Sequence, residues 1–487
     1  MYEAALALTT LIYLFTVVWY LRSPAASLFH PLTFFCAFHG LVFVVRPWFA
    51  WYGQYDFLYY AFQFQPTLAD KVIALGAATL GLVVFAWSSL RAGSMAMVFR
   101  QDAATAEQRR QLLPLFVWVI AICGPIGVYS LLTQFSNGLE GMVMDRATGI
   151  SINTTGNGYL VDAQLMLVSL SAMAAWIYRF RLVSLLPLAT FVLYRAGTGG
   201  RGPFIAAVAS AGMFYLYERR RRFPGLRLAL VLLPVLLLFR VVGDDRGAAI
   251  KNALTPGPEQ VSAGKVQEPA RPLESMDYAN LEFLEYLVYV VPQRSGTYDY
   301  FLDNLQVLTE PVPRVLWPGK PIGPPIKRVD LLQYGTPIGM TLSVAGEGWY
   351  ALGWLGVAIW SALFGLMTGT LYRKFVEGPQ SAFQTSAYMV FMPSLIVGFR
   401  DGSLLSLIRS TGIYMIPILL WFALSRAFGL ASIFQLRQAM AERVRWVRRE
   451  PGSAAQKPTA VPVEPALLQL PPAVRRRRLA LRMREAE

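Results

Sequence analysis

Arg314 and Lys320 stand in Pro311-Val-Pro-Arg-Val-Leu-Trp-Pro-Gly-Lys-Pro321, the stretch of this chain whose residue types point most directly to chemistry. Proline fixes φ and removes backbone donors, so this density of proline predicts an ordered, non-helical loop that presents its cations from a stiff backbone. Such a loop suits an anionic ligand. Guanidinium forks bind phosphate bidentately, and a diphosphate needs several of them. Further candidates are Arg195 and Arg201 in Tyr194-Arg-Ala-Gly-Thr-Gly-Gly-Arg-Gly-Pro203, Arg246 in Gly243-Asp-Asp-Arg, Arg400 in Gly398-Phe-Arg-Asp-Gly402, and Arg409. Glu347, between two glycines in Ala345-Gly-Glu-Gly-Trp349, is placed to accept a proton from an acceptor hydroxyl. Pairing with a nearby arginine, or capping a helix start, suits it equally. Asp244 and Asp245 are second candidates for the same task, and they also read as a solvated exit from an apolar run. His30 and His39 are the only histidines and Cys36 and Cys123 the only cysteines, with no metal-ligand spacing, P-loop or dinucleotide fingerprint. No metal and no cofactor are expected.

The elements that must position these residues follow from composition. Of 487 residues, 55% are hydrophobic and only 15% charged, too few charges for the surface of a soluble chain this long. Apolar runs near the length of a bilayer-spanning helix fall at 3–21, 32–51, 72–90, 112–134, 159–178, 182–195, 203–217, 226–243, 349–372, 385–399 and 404–425, about eleven in all. The expected fold is an all-α, polytopic integral membrane helix bundle with one large outer loop. The net charge of +15 is not that of a nucleic-acid binder, because the basic residues collect in short loops after odd-numbered runs. Arg22, Arg91, Arg100, Arg109, Arg110, Arg179, Arg181, Arg219–Arg222, Arg373 and Lys374 follow this rule, which places those ends in the cytoplasm. The amino terminus is then periplasmic, the carboxyl terminus cytoplasmic, and the first run a retained helix instead of a cleaved signal. Arg46, Arg294 and the candidate arginines above fall at or near the outer face, Arg409 somewhat deeper. Ionisable groups there default to function unless paired. For Arg400 the alternative is pairing with Asp401, and Arg46, beside Trp48 and Trp51, reads as an interfacial anchor.

The expected organisation is transmembrane helices over 1–243, a large periplasmic loop with short helices over 244–342, transmembrane helices over 343–429 and a basic, largely disordered cytoplasmic tail over 430–487. Residues 252–275, rich in Pro, Gly, Glu and Gln, are expected to be mobile. Leu281, Leu284, Val288 and Val291 recur at helical spacing, giving a helix that lies on the outer leaflet or packs in the core. Tyr286, Tyr289, Tyr298 and Tyr300 offer stacking faces for sugars. Residues 430–449 form a basic amphipathic segment suited to anionic lipid, followed by a Pro/Ala-rich linker and the Arg475–Arg478 patch.

An outward-facing phosphate ligand at a membrane is naturally a polyprenyl-diphosphate-linked saccharide: the diphosphate lies at headgroup level and leaves readily once its charge is stabilised. Here the sequence also resembles a family. Pro313-Arg-Val-Leu-Trp-Pro-Gly-Lys-Pro321, followed by Ser343-Val-Ala-Gly-Glu-Gly-Trp-Tyr-Ala-Leu-Gly-Trp-Leu-Gly356, looks like the outer loop and next span of bacterial oligosaccharide repeat-unit polymerases, the Wzy-type O-antigen and exopolysaccharide polymerases. Tyr194–Pro203 is similar to their Arg-Gly turn, and the resemblance covers roughly residues 1–430. It implies a metal-independent, GT-C-like membrane glycosyltransferase that joins undecaprenyl-diphosphate-linked oligosaccharide units at the periplasmic face of the inner membrane. Arg201, Arg314 and Lys320 then match the family's cationic positions and Glu347 its acid. The expected partners are the lipid-linked oligosaccharide, membrane lipids and a chain-length regulator protein. The alternatives are an O-antigen ligase-like transferase, against which the absence of a histidine in 244–342 weighs, and a non-enzymatic flippase or transporter of the same lipid.

Overall fold

The computed structural model describes residues 1–137, 142–144, 151–153, 158–198, 201–226, 251, 271–312, 316, 317, 319–321, 323–335 and 339–449. In chain order its long helices are α1 (Tyr2–Arg22), α2 (Pro31–Tyr52), α3 (Leu68–Ala92), α4 (Ala103–Phe135), α5 (Leu160–Ile177), α6 (Leu182–Gly197), α7 (Arg201–Glu218), α8 (Asn280–Val290), α9 (Ser343–Glu377), α10 (Ala382–Asp401), α11 (Leu404–Ala427) and α12 (Ile433–Arg449). The described strands are a three-residue antiparallel pair, β1 (Met142–Met144) with β2 (Ser151–Asn153). Eight helices, α1–α5 and α9–α11, are long and apolar enough to cross a membrane. The chain is thus a multi-pass helical membrane protein, with fewer such helices among the described residues than the eleven expected. At 16 residues α6 is short of the ~30 Å hydrocarbon thickness. Helix α7 begins at Arg201, ends at Glu218 and is too polar to qualify, and 227–243 lies outside the described residues.

Helices α3 and α9 form the most extensive helix pair, because small residues face each other. A Cβ on Gly365 would fall 2.0 Å from Ser88 Oγ, and one on Gly369 would fall 2.4 Å from the Ser89 carbonyl. Thr67 starts α3 with a reciprocal cap: its Oγ1 accepts the Asp70 N–H at 3.1 Å while Asp70 Oδ2 accepts the Thr67 N–H at 2.9 Å. Helix α2 widens to a π turn over Gly40–Val45 just before Pro47, whose missing N–H interrupts the ladder. Helix α9 is broken at Leu352 and Gly353, the latter at φ 58°, a conformation that favours glycine.

Helix directions sort the ends of the bundle. The helix termini near Arg22, Arg91, Arg109, Arg179, Arg219, Arg373 and Arg426 share one end, tied by Arg109–Glu218 (3.0 Å) and Arg437–Asp102 (2.7 Å). The described residues between 271 and 335 cover the other end, the loop end. Three expectations change here, and of the two placements expected for the Leu281–Val291 helix the core is the one observed. Arg46 is no interfacial anchor: it is fully buried and ion-paired with Glu282 of α8, its Nε donating to the Leu273 carbonyl at 2.9 Å. Helix α8 is core, with Leu281, Leu284, Val288 and Val291 all buried against α2, α3 and α9. Residues 271–275, expected mobile, are tied to the bundle through that carbonyl and through Arg271 to the Gly53 carbonyl at 3.1 Å. The first part of the tail docks as α12, where Ile433 and Leu436 bury against Ala104 of α4. The stretches 252–270 and 451–487 lie outside the described residues.

Candidate functional site

The break in α9 builds the site. It frees the carbonyls of Tyr350 and Ala351, which accept the backbone N–H groups of Asp299 (3.1 Å) and Tyr300 (3.0 Å). This pins the Tyr298–Asn304 turn against the first part of α9. Asp299 Oδ2 accepts the Asp303 N–H at 3.1 Å, and Asn304 Nδ2 donates to Glu347 Oε1 at 2.6 Å. Three acids therefore converge, with Glu347 3% and Asp299 0% exposed. The Oδ1 atoms of Asp299 and Asp303 are buried without a hydrogen-bond partner. Burial, and then the neighbouring Asp299 and Glu347 carboxylates, push the Asp303 carboxyl up to about 8, and burial also raises Asp299. Asp303 therefore keeps a proton at neutral pH that it can pass to a neighbouring carboxylate. Glu347 forms no ion pair among the described residues, and it is not the cap of its helix: Ser343 Oγ takes the Gly346 N–H at 3.2 Å. Neither the arginine pairing nor the capping role considered for Glu347 is seen there.

Seven residues beyond Asp303, Glu310 gathers two of the expected cations. Lys320 Nζ lies 3.4 Å from Glu310 Oε2 and donates to the Glu310 and Val312 carbonyls at 2.9 and 3.2 Å. Arg409 of α11 lies 3.7 Å from Glu310 Oε1 and bonds Asp162 Oδ2 at 2.6 Å. Two residues on from Asp162, Gln164 Oε1 accepts from Arg195 Nη1 at 2.8 Å, and Gln134 Oε1 takes the same nitrogen at 2.9 Å. Lys320 and Arg409 thus share one polar network through Glu310 at the loop end, and Arg195, held by two amides, lies beside it at the Asp162–Gln164 turn.

Other expected residues lie elsewhere. Arg400, at the end of α10, makes no ion pair with Asp401; its carbonyl accepts Asn280 Nδ2 at 2.8 Å and its Nε is buried without a partner. Arg294 stacks on Tyr289, 3.3 Å from the ring centre. Arg201 opens α7, and its side chain is not among those described. Arg246, Arg314, Asp244 and Asp245 lie outside the described residues. Of the tyrosines, Tyr286 is fully buried with its hydroxyl on the Leu331 carbonyl, so it offers no stacking face, whereas Tyr300 is 45% exposed. Sequence reasoning missed Asp299, Asp303, Asn304, Glu310, Asp162, Gln134 and Gln164. A signal existed for two of them, since Asp299 and Asp303 are the only charges in Tyr298-Asp-Tyr-Phe-Leu-Asp-Asn304. Among the described residues no group of His, Cys, Asp and Glu is arranged to hold a metal ion. No protein-family model, no curated protein and no solved structure matches this chain.

Proposed function

We propose that this protein is a membrane glycosyltransferase that joins polyprenyl-diphosphate-linked oligosaccharide units, acting at its loop end. The observation that carries the reading is the placement of Glu347, a buried carboxylate with no cationic partner among the described residues, at the same end as Lys320 and Arg409, joined by Glu310, and the amide-held Arg195. In this reading the donor's diphosphate exchanges with Glu310 and Asp162 for the guanidinium and ammonium groups. Fixed cations then stabilise the diphosphate as it leaves the anomeric carbon. Glu347 takes the proton of the attacking acceptor hydroxyl, the new glycosidic bond forms as the carbon–oxygen bond to the diphosphate breaks, and the protonated carboxylate is discharged through Asp303. Asn304 fixes the carboxylate rotamer, a positioning task. The sugar-free end of the lipid lies along the apolar flanks of α9 and α11, which expose Leu355, Leu363, Ile416 and Leu419.

The test is a gel profile of surface polysaccharide from cells deleted for this gene and complemented with wild type, Glu347→Gln or Arg409→Ala. The reading expects single-repeat products on deletion and a restored ladder with wild type only. Deletion that traps lipid-linked units on the cytoplasmic side assigns transport instead and ends the polymerase reading.

A further inference from the structure

A cavity of about 590 Å³ opens at the arginine-rich end, far along the helices from the carboxylate cluster. It lies between the start of α4, the ends of α5 and α7, and the turn joining α9 to α10. Its size is that of a small-molecule site. Arg109, only 14% exposed, forms part of the wall: both its terminal nitrogens bond Glu218, at 3.0 and 3.1 Å, and its guanidinium lies 5.2 Å from the Trp176 ring centre. The indole N–H also donates to Glu218 at 3.2 Å, so this wall is held rigid.

Charge in the cavity is unbalanced. Arg109, Arg179, Arg219 and Arg220 line it against Asp102 and Glu218. Both carboxylates are engaged, Glu218 by Arg109 and Asp102 by Arg437 of α12. Among the described residues Arg179 and Arg219 form no ion pair, and the side-chain bonds of Arg220 go to neutral groups of Gln101. Backbone geometry gives a second, independent observation. Ten non-glycine residues among those described have positive φ, and four of them line this one cavity: Arg179 (58°), Phe180 (54°), Arg220 (53°) and Gln380 (48°). Gln380 is accounted for by its own bonds, accepting from Tyr217 and the Arg100 N–H, each at 2.8 Å. The other three follow helix ends, where glycine or asparagine takes the left-handed conformation with less strain. At two of the three, Arg179 and Arg220, the side chain keeps a guanidinium at the rim in spite of the strain, and strain of this kind gathers at ligand clamps.

We propose that this cavity is a binding site for a phosphate-bearing ligand, with Arg179, Arg219 and Arg220 as the phosphate contacts and the Arg109–Glu218–Trp176 wall as its rigid side. The phosphate belongs either to an anionic phospholipid headgroup or to a soluble phosphate compound. The site is independent of the glycan-transfer reading, since it shares no residue with the loop end.

The experiment is thermal unfolding and binding of the full-length protein in neutral detergent. Its probes are dioctanoyl phosphatidylglycerol, inorganic pyrophosphate and, as control, dioctanoyl phosphatidylcholine. The proposal expects the midpoint to rise with one or both anions and not with phosphatidylcholine. A rise with phosphatidylglycerol alone assigns the site to the leaflet lipid, and a rise with pyrophosphate alone to a soluble ligand. Arg179→Gly and Arg220→Gln should each weaken the binding by roughly tenfold. Arg179→Gly should also raise the ligand-free midpoint, because glycine relieves the left-handed backbone. No stabilisation by either anion, unchanged binding in both variants, or a lower ligand-free midpoint for Arg179→Gly overturns the proposal.

Discussion

Arg46 and Glu282 lie 236 positions apart and meet as a buried pair, Arg46 Nη1 donating to both carboxylate oxygens. A buried pair of this kind adds little net stability over apolar residues, yet breaking it by removing one partner costs about 3–5 kcal/mol. Glu282→Ala should therefore lower stability by that order, and Arg46→Met with Glu282→Leu should recover most of it; thermal unfolding of the purified variants checks both. At the carboxylate cluster the sign of the pH dependence is set by Asp303. Its ordinary value is 3.8 and burial beside Asp299 and Glu347 raises it to about 8. Between those values the folded chain keeps a proton that the unfolded chain has lost, so this group makes stability fall as pH rises. Asp303→Asn should flatten the decline, unfolding at a higher temperature than wild type at pH 8 and at the same temperature at pH 4. Glu347→Gln keeps the shape and the bond from Asn304 while removing the base. Under the proposed reading it should cut chain elongation by ~10²–10⁴-fold, read as loss of the polysaccharide ladder with unchanged membrane level.

Among the elements, α3 and α9 carry the architecture and α8 fills the core beneath the loop end. Gly365 and Gly369 approach α3 so closely that any side chain meets Ser88 Oγ or the Ser89 carbonyl. Gly369→Val should cost about 1–3 kcal/mol or more through forced separation of the two helices, measured as a lower unfolding midpoint in detergent. The same substitution at Gly212, whose Cβ position meets nothing within 4 Å, should be close to neutral. Helix α8 illustrates how a polar interval hides a core element. Its acids Glu282 and Glu285 are accommodated inside the bundle because Arg46 pairs with the first and the Tyr59 hydroxyl donates to the second at 2.6 Å. The break at Gly353 is a positioning device as well as a kink: the carbonyls it releases are the acceptors that hold Asp299 and Tyr300 in place.

For the whole molecule, the two ends differ in kind. One is rimmed by arginines at helix termini, and the other is covered by the segment 271–335 that bears the carboxylates. If the rim faces the cytoplasm, a cysteine replacing exposed Arg181 should react with an impermeant maleimide only after permeabilisation, and one replacing exposed Arg328 in intact spheroplasts. Cys36 and Cys123 are buried and give little background. The opposite pattern of labelling reverses the orientation and moves the proposed reaction to the other face. Of this architecture, the apolar runs alone determined that the chain is a multi-pass helical bundle, because a bilayer-length apolar segment has few other stable fates. They also marked all eight qualifying helices, although α4 (Ala103–Phe135) and α9 (Ser343–Glu377) start well before their runs at 112–134 and 349–372, and the placing of Arg residues separated the two ends. Local sequence singled out Lys320 as a cation on a proline-stiffened loop, and Glu347, Arg195 and Arg409 as ionisable residues at or in apolar runs. What it left undecided was who meets whom. The Glu310 bridge between Lys320 and Arg409, the Asn304 contact to Glu347 and the burial of Arg46 join elements 43 to 236 positions apart. No local pattern encodes such pairs, since each depends on how α2, α8, α9 and α11 pack and on where α9 breaks. Only the tertiary structure decided them, because a buried charge must find its partner wherever packing leaves one within reach.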